Sequence, residues 1–176
     1  MTGLHFTAVA SDYEEDMTLK MPPRELAKFL SRGKAEAVAK RYKDAIVIGG
    51  DTFVALGKDL MGKAHTTAQA KKMLRKLSGK RHELITGFTV IDTKTGRTVS
   101  KACVTEVYFK KLSEKRIATY IRSGEAIGKA GGYMMQTLGS GLAKKIEGSY
   151  LNAIGLPAEE LAQVLEKDFK VKVPHY

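Results

Sequence analysis

A single cysteine, Cys103, stands in the 176 residues, so no internal disulfide can form. Such sparing use of cysteine fits a reducing cytoplasm, where the chain is expected to reside. Cys103 lies in the strand-like run Ala102–Phe109 without a His or Asn partner motif, and reads as a small core residue rather than a nucleophile. No window approaches the ~20 uninterrupted apolar residues of a membrane span. Met1-Thr2-Gly3-Leu4-His5 has neither a charged n-region nor an apolar h-region, so a secretory signal is not expected there. The four histidines, His5, His65, His82 and His175, are scattered without metal-ligand spacing. Neither GxxxxGK(S/T) nor GxGxxG occurs, which removes two common phosphate cradles. Internal repeats, low-complexity tracts and Pro/Gly/Ser linkers are missing as well, so residues 1–176 are expected to form one domain.

Acidic residues are also scarce: 19 Asp and Glu face 30 Lys and Arg, a net charge of +11. A surplus of this size attracts polyanions. The charge is dispersed along the chain, densest in Lys71-Lys72…Arg75-Lys76…Lys80-Arg81 and Lys110-Lys111…Lys115-Arg116. No aromatic residues interleave with these stretches as a single-strand stacking platform requires. They read as solvated helix and strand faces, and a nucleic-acid partner is not expected.

What is present is an apolar content of 43% with 28% charged residues, enough to bury one real core. Ala45-Ile46-Val47-Ile48-Gly49-Gly50-Asp51-Thr52 carries the strongest local signal. A β-branched run reads as a strand buried on both faces. The two glycines then allow a sharp turn or a close approach, and Asp51 follows at what reads as the strand's carboxyl end, where open α/β sheets bind ligands. Phe6–Ala10 and Val171–Val173 read as short strands. Pro22-Pro23 opens a helix to about Arg41, with Leu26, Phe29, Leu30, Gly33 and Ala37 on one face. Thr52–Leu56 and Leu60-Met61 form a hairpin-like excursion. Thr66 or Thr67 caps a helix to Leu77, and Ser113 caps another to about Ser123. Leu84–Asp92 and Thr98–Lys110 are strands joined through Thr93–Arg97. Leu142–Ile146 and Tyr150–Ile154 read as a second hairpin, and Pro157 begins a last helix. The expected architecture is α/β: a mixed sheet flanked by helices.

Several residues could serve phosphoanhydride hydrolysis, which needs cations around phosphates, a carboxylate-held metal and an oriented water. Asp51 is the leading carboxylate, and the acidic stretch Asp12-Tyr13-Glu14-Glu15-Asp16 is second. Lys63 after Gly62 and Lys129 after Gly128 are flexible point charges suited to phosphate. Lys34 lies at the border of the apolar stripe of its helix, where it either snorkels or points into a cleft. In Gly131-Gly132-Tyr133-Met134-Met135-Gln136, the Gln136 amide could read a base edge. The plain alternative there is an ordinary turn with Tyr133 and the methionines in the core.

Together these segments resemble the Maf family of nucleotide pyrophosphatases. The likeness runs through Ser11-Asp12-Tyr13-Glu14-Glu15, Lys34-Ala35-Glu36-Ala37-Val38-Ala39, Val47-Ile48-Gly49-Gly50-Asp51-Thr52 and Gly62-Lys63. It continues in Met73–Gly79, Ile85-Thr86-Gly87, Glu125, Lys129–Tyr133, Gln136, Ile146–Tyr150 and Gly155-Leu156-Pro157. The resemblance implies a twisted sheet with a central cleft, related to inosine-triphosphate pyrophosphatases, and often a homodimer. It implies hydrolysis of a nucleoside triphosphate to monophosphate and pyrophosphate with magnesium or manganese. Asp51 would be the catalytic carboxylate, activating water or holding metal. Glu14 would be a metal-side acid, or Glu15 if the register slips by one. Lys34, Lys63 and Lys129 would contact phosphates. Thr52 and Gln136 match the branch acting on dTTP and UTP, so a pyrimidine or modified pyrimidine substrate is implied.

The chain departs from the family pattern at three small sites: Gly62-Lys63-Ala64 for Gly-Lys-Pro, Gly128 for Asp, and Met134-Met135-Gln136 for Gly-Ile-Gln. The family's opening Ser-x-Ser-Pro-Arg-Arg segment has no counterpart here, because Gly3-Leu4-His5-Phe6 matches a later stretch. Arginines are the strongest bidentate phosphate ligands. Their loss raises an alternative: a catalytically impaired relative that binds nucleotide or a protein without efficient turnover.

Overall fold

Pro22 and Pro23 begin the longest helix, α1 (Pro23–Ala39), because a proline in the first turn gives up only an N–H that would be unbonded anyway. Its buried residues, Leu26, Ala27, Leu30, Ser31, Ala35 and Val38, recur at helical spacing and form one face. The structure, a computed structural model, describes residues 4–174. The sequence readings on Met1-Thr2-Gly3 and on His175 therefore lie outside the described residues. The elements that follow α1 are β1 (Ile46–Leu56), β2 (Asp59–Met61), α2 (Thr67–Leu77), β3 (Arg81–Asp92), β4 (Thr98–Phe109) and α3 (Glu114–Arg122). A short 3-10 helix (Leu138–Leu142), β5 (Ala143–Glu147), α4 (Tyr150–Ala153) and α5 (Ala158–Phe169) complete them. No helix among the described residues is long and apolar enough to cross a membrane.

The five strands form one sheet in the order β2-β1-β3-β4-β5. Helices flank it as expected, but the pairing is antiparallel rather than mixed. β1 meets β2 antiparallel through Val54 and Met61, and β4 meets β5 antiparallel through Val107 and Ile146. The tight turn between β1 and β2 and the short loop between β3 and β4 enforce antiparallel neighbours there, since a parallel neighbour needs a crossover of a dozen residues or more. β4 and β5 are joined by a long segment that carries α3, so no tight turn dictates their direction.

The chain divides into two compact units, and the boundaries fall inside β1, β3 and β4. Unit 1 comprises residues 1–51, 86–103 and 156–176; unit 2 comprises residues 52–85 and 104–155. In unit 1, Ile91 of β3 packs with Val47, Ala35 and Val38, whereas Phe88 and Val90 pack with Leu161, Val164 and Leu165 of α5. Successive strand residues face opposite sides, so α1 and α5 cover opposite faces of the unit's strands. In unit 2, one larger core joins Leu74 and Leu77 of α2, Phe109 of β4, Ile117 of α3 and Leu142. Each fully buried side chain of this size contributes about 1.5–3 kcal/mol.

The structure revises four local expectations. The start of β1 is not buried on both faces: Val47, Gly49 and Asp51 are covered, while Ile46 is 38% and Ile48 42% exposed. The helix α1 covers one face only. The segment Tyr150–Ile154 is not a strand. Gly148, at φ +112, turns the chain, and the Ser149 hydroxyl accepts from the Asn152 N–H to cap α4. Buried Asn152 then donates to Leu84 O and Thr105 Oγ1, which holds that helix against the strands. Residues 6–10 form no strand; Phe6 is 86% exposed and has no apolar face to join. Residues 171–173 form no strand either, and Val173 instead fills the α5 cluster.

Candidate active site

Asp51 does not follow β1; it lies inside it. The glycines ahead of it make no turn, and Gly49 serves close approach. A Cβ on Gly49 would sit 2.6 Å from Ser31 O and 2.7 Å from Ala35 N, so only glycine lets α1 lie against β1 here. Ser31 is clamped in place, with its hydroxyl 2.9 Å from Thr89 Oγ1, which in turn is 2.8 Å from Ser100 Oγ. Asp51 is two residues beyond Gly49 on the same strand face. Lys34, between Ser31 and Ala35 on α1, therefore arrives opposite Asp51.

The result is a compact ionic cluster in unit 1. Lys34 Nζ donates to Asp51 Oδ1 at 2.5 Å and lies 2.6 Å from Glu15 Oε1. Asp51 is buried, at 4% exposure. Burial pushes the Lys34 ammonium down, but hydrogen bonds to Asp51 and Glu15 outweigh it and hold its pKa above the usual lysine value. Lys34 thus points inward rather than snorkelling. Of the two neighbouring glutamates it is Glu15 that joins the cluster, through its ion pair with Lys34. Tyr13 orders this acidic segment: a Cβ on Gly33 would meet its ring at 2.3 Å, so the ring lies directly on α1. Gly33, set among the apolar positions of α1, was the sequence signal for that contact. The buried hydroxyls of Ser31 and Thr89, and the half-buried one of Ser100, left no comparable signal.

In unit 2 the two Gly-Lys motifs meet. Lys63 and Ala130 form an isolated antiparallel bridge. Ala64 N–H donates to Lys129 O at 3.1 Å, Gly128 N–H to Ala64 O at 2.8 Å, and Gly131 N–H to Gly62 O at 3.0 Å. Gly131 and Gly132 both adopt positive φ (+64 and +73), and a Cβ on Gly131 would strike Val54. Two exposed lysines, 66 residues apart in sequence, are therefore held on adjacent strands of backbone.

Thr52 Oγ1 donates to Gly155 O at 3.4 Å. Gln136 is exposed, next to Met135, whose carbonyl accepts from the Tyr150 hydroxyl at 3.2 Å. Tyr133 and Met135 are core residues, as the plainer reading expected. Tyr133 Oη shares a 2.8 Å hydrogen bond with buried His82. Glu125 serves the structure, since its carboxylate accepts from the Leu138 and Gly139 N–H groups. Cys103 is half-buried, and burial, aided by Glu160, pushes its thiol up to about 11, which suppresses the thiolate a nucleophile requires.

Two carboxylates around one cation form a hard, all-oxygen donor set. Magnesium and manganese suit such a set, and magnesium is commonly held by one or two carboxylates, the remainder coming from water and substrate phosphates. No group of three or more His, Cys, Asp or Glu side chains placed to hold a metal occurs among the described residues. A metal here would rest on Asp51 and Glu15, and these residues fit it.

The chain is 40% identical over 167 residues to a protein of Methanosarcina barkeri named dTTP/UTP pyrophosphatase, covering 95% of this chain and 85% of that one. It is 41% identical over 176 residues to a protein of the same name from Alkaliphilus metalliredigens, covering 98% and 91%. A third, from Desulforamulus reducens, is 41% identical over 163 residues, covering 93% and 85%. A family model described as Maf-like protein matches residues 1–168. With the family model spanning nearly the whole chain and relatives of this similarity, the chain belongs to the Maf-like protein family.

Proposed function

We propose that this protein is a nucleoside triphosphate pyrophosphatase that hydrolyses dTTP and UTP, or modified pyrimidine analogues, to the monophosphate and pyrophosphate. Water adds to the α-phosphorus, the bond from that phosphorus to the bridging oxygen breaks, and pyrophosphate departs with the electron pair. The observation that carries this reading is the cluster of Asp51, Glu15 and Lys34, supported by the names of the relatives.

In this reading Asp51 is the catalytic carboxylate. Its burial and its contact with Lys34 hold the carboxylate in one orientation, from which it would activate the attacking water. Glu15, rather than Glu14, is the second acid. A divalent ion, magnesium or manganese, held by Asp51 and Glu15 supplies charge neutralisation and polarisation of the phosphate oxygens. Lys34 places a permanent positive charge beside both acids. In unit 2, Lys63 and Lys129 are the phosphate contacts, and Thr52 and Gln136 the base-reading residues. A single catalytic domain acting as a cytoplasmic homodimer completes the reading.

The test is pyrophosphate release from dTTP, UTP, CTP and 7-methyl-GTP with magnesium or manganese, with and without a chelator, for the protein and for Asp51→Asn. The expected result is release from dTTP and UTP that a chelator stops. Asp51→Asn should reduce it by about 100–1000-fold or more. Unchanged turnover in Asp51→Asn would remove Asp51 from the chemistry, and no release from any triphosphate would remove the activity.

A further inference from the structure

The net charge of +11 is not shared between the two units. Unit 2 holds 16 of the 30 Lys and Arg but only 6 of the 19 Asp and Glu, a net +10; unit 1 is left with +1. Setting aside Lys63 and Lys129, which the proposed function uses, most of the surplus in unit 2 remains.

Many cations of unit 2 are paired. Lys71 and Arg75 meet Glu114, Lys76 meets Asp59, Arg81 meets Glu106 and Lys145 meets Glu147. A second set gathers at one corner, where the end of α2, the end of β4, the first turn of α3 and the start of β5 meet. Gly79 N–H donates to Lys110 O, and Phe109 N–H to Lys80 O, which brings Lys80, Lys110 and Lys111 together. Lys110 Nζ and Arg116 Nη2 each donate to Gly141 O at 3.0 Å, so two like charges lie within about 6 Å of one another with only a carbonyl between them. A register shift in the β4–β5 pairing, Tyr108 opposite Lys145 but Phe109 opposite Ala143, leaves Lys144 as the extra, exposed residue beside them. None of these five side chains forms an ion pair with a carboxylate among the described residues, and all five are exposed.

We propose that this corner, Lys80, Lys110, Lys111, Arg116 and Lys144, is a binding surface for the phosphate backbone of duplex nucleic acid. Convergent like charges repel, and a phosphate oxygen between Lys110 and Arg116 relieves that repulsion while accepting charge-assisted hydrogen bonds. Regularly spaced phosphates can engage several of the five at once and release counterions. The dense basic stretches carry no interleaved aromatic residues, which favours backbone contact with a duplex over stacking on single-strand bases.

The test is fluorescence anisotropy of a labelled 20-base-pair duplex with the full chain, titrated with salt. Wild type is compared with Lys110→Glu/Lys111→Glu/Arg116→Glu. A control of equal charge change in unit 1, Lys40→Glu/Lys43→Glu/Lys167→Glu, is measured in parallel, and circular dichroism and pyrophosphate release report the folding of each. Wild type should bind with a log–log salt slope of about −4, as expected for four to five neutralised phosphates. The corner variant should lose at least about tenfold in affinity, the control much less, and both should keep their pyrophosphatase activity. If the corner variant fails to fold, Lys110→Gln/Arg116→Gln takes its place with the same expectation. No binding at 50 mM salt, or equal loss in corner and control variants, would overturn the proposal. So would a corner variant whose only defect is a lowered kcat/KM for the triphosphate, which would make these cations a steering field for substrate.

Discussion

Lys34 Nζ lies 2.5 Å from Asp51 Oδ1, and the same nitrogen lies 2.6 Å from Glu15 Oε1. One lysine thus separates two carboxylates, one of which is buried. This contact exists because Gly49 admits α1 to the surface of β1.

Replacing Lys34 by methionine keeps most of the side-chain volume but removes that charge. The carboxylates of Asp51 and Glu15 then lose their common counterion. Pyrophosphate release should fall by about 100–1000-fold, the usual cost of removing an oriented charge from a reacting centre. The acidic limb of the pH–rate profile should also move to higher pH, since a carboxylate that loses a neighbouring cation gains affinity for protons. A steady-state pH profile of the two proteins checks both. An unshifted acidic limb would mean that Lys34 does not hold the acid that limits turnover.

Neighbouring glycines of β1 should respond differently to alanine. In Gly49→Ala the new methyl would meet backbone atoms of Ser31 and Ala35 at 2.6 and 2.7 Å, and neither can move without shifting α1. In Gly50→Ala the nearest atom is Gly87 O at 3.9 Å, an ordinary contact. Gly49→Ala should therefore destabilise by about 1–3 kcal/mol or more, as overpacking does, and impair turnover by displacing Lys34. Gly50→Ala should stay within about 0.5 kcal/mol of wild type. Urea denaturation of both variants measures the difference; equal losses would contradict the tight packing at Gly49.

His82 should make the fold acid-sensitive. It is 2% exposed, packed edge-on against Phe109 and Tyr133, and burial holds its pKa down at about 4 against an ordinary 6.5. Below pH 6.5 the unfolded chain binds a proton at this position that the folded chain refuses. Stability from this source is therefore complete above about pH 6.5 and is lost as the pH falls toward 4, to a total of about 3 kcal/mol. His82→Phe should unfold at similar denaturant concentrations at pH 7 and pH 5 once other titrations are subtracted, whereas wild type should weaken. Denaturant midpoints measured at both pH values decide it.

Much of the fold was legible along the chain because local signals agreed with tertiary demands. Pro22-Pro23, Thr66 and Ser113 mark the starts of α1, α2 and α3, and the loop between Asp92 and Thr98 joins the two long strands. Tyr150–Ile154 misled, because a short apolar run broken only by Asn152 fits a strand as well as a short helix. The cap from Ser149 and the buried hydrogen bonds of Asn152 decide between them, and the partners of Asn152, Leu84 and Thr105, are far away in sequence. The start of β1 misled for a related reason: an Ile-Val-Ile run states that side chains are apolar but not how many faces are covered.

For the candidate site, the sequence determined the inventory. Asp51, Lys34, the adjacent glutamates and the two Gly-Lys motifs stand out by residue type and by family resemblance, since both are properties of local strings of residues. Tertiary structure decided the selection and the grouping. It set Glu15 against Lys34, turned Lys34 inward, bridged Lys63 to Ala130 next to Lys129, and gathered five carboxylate-free cations at one corner of unit 2. Each of these outcomes depends on distances between segments remote along the chain. Those distances are set by how closely backbones pack, as at Gly49 against Ser31 and Ala35, and no local pattern of residues encodes them.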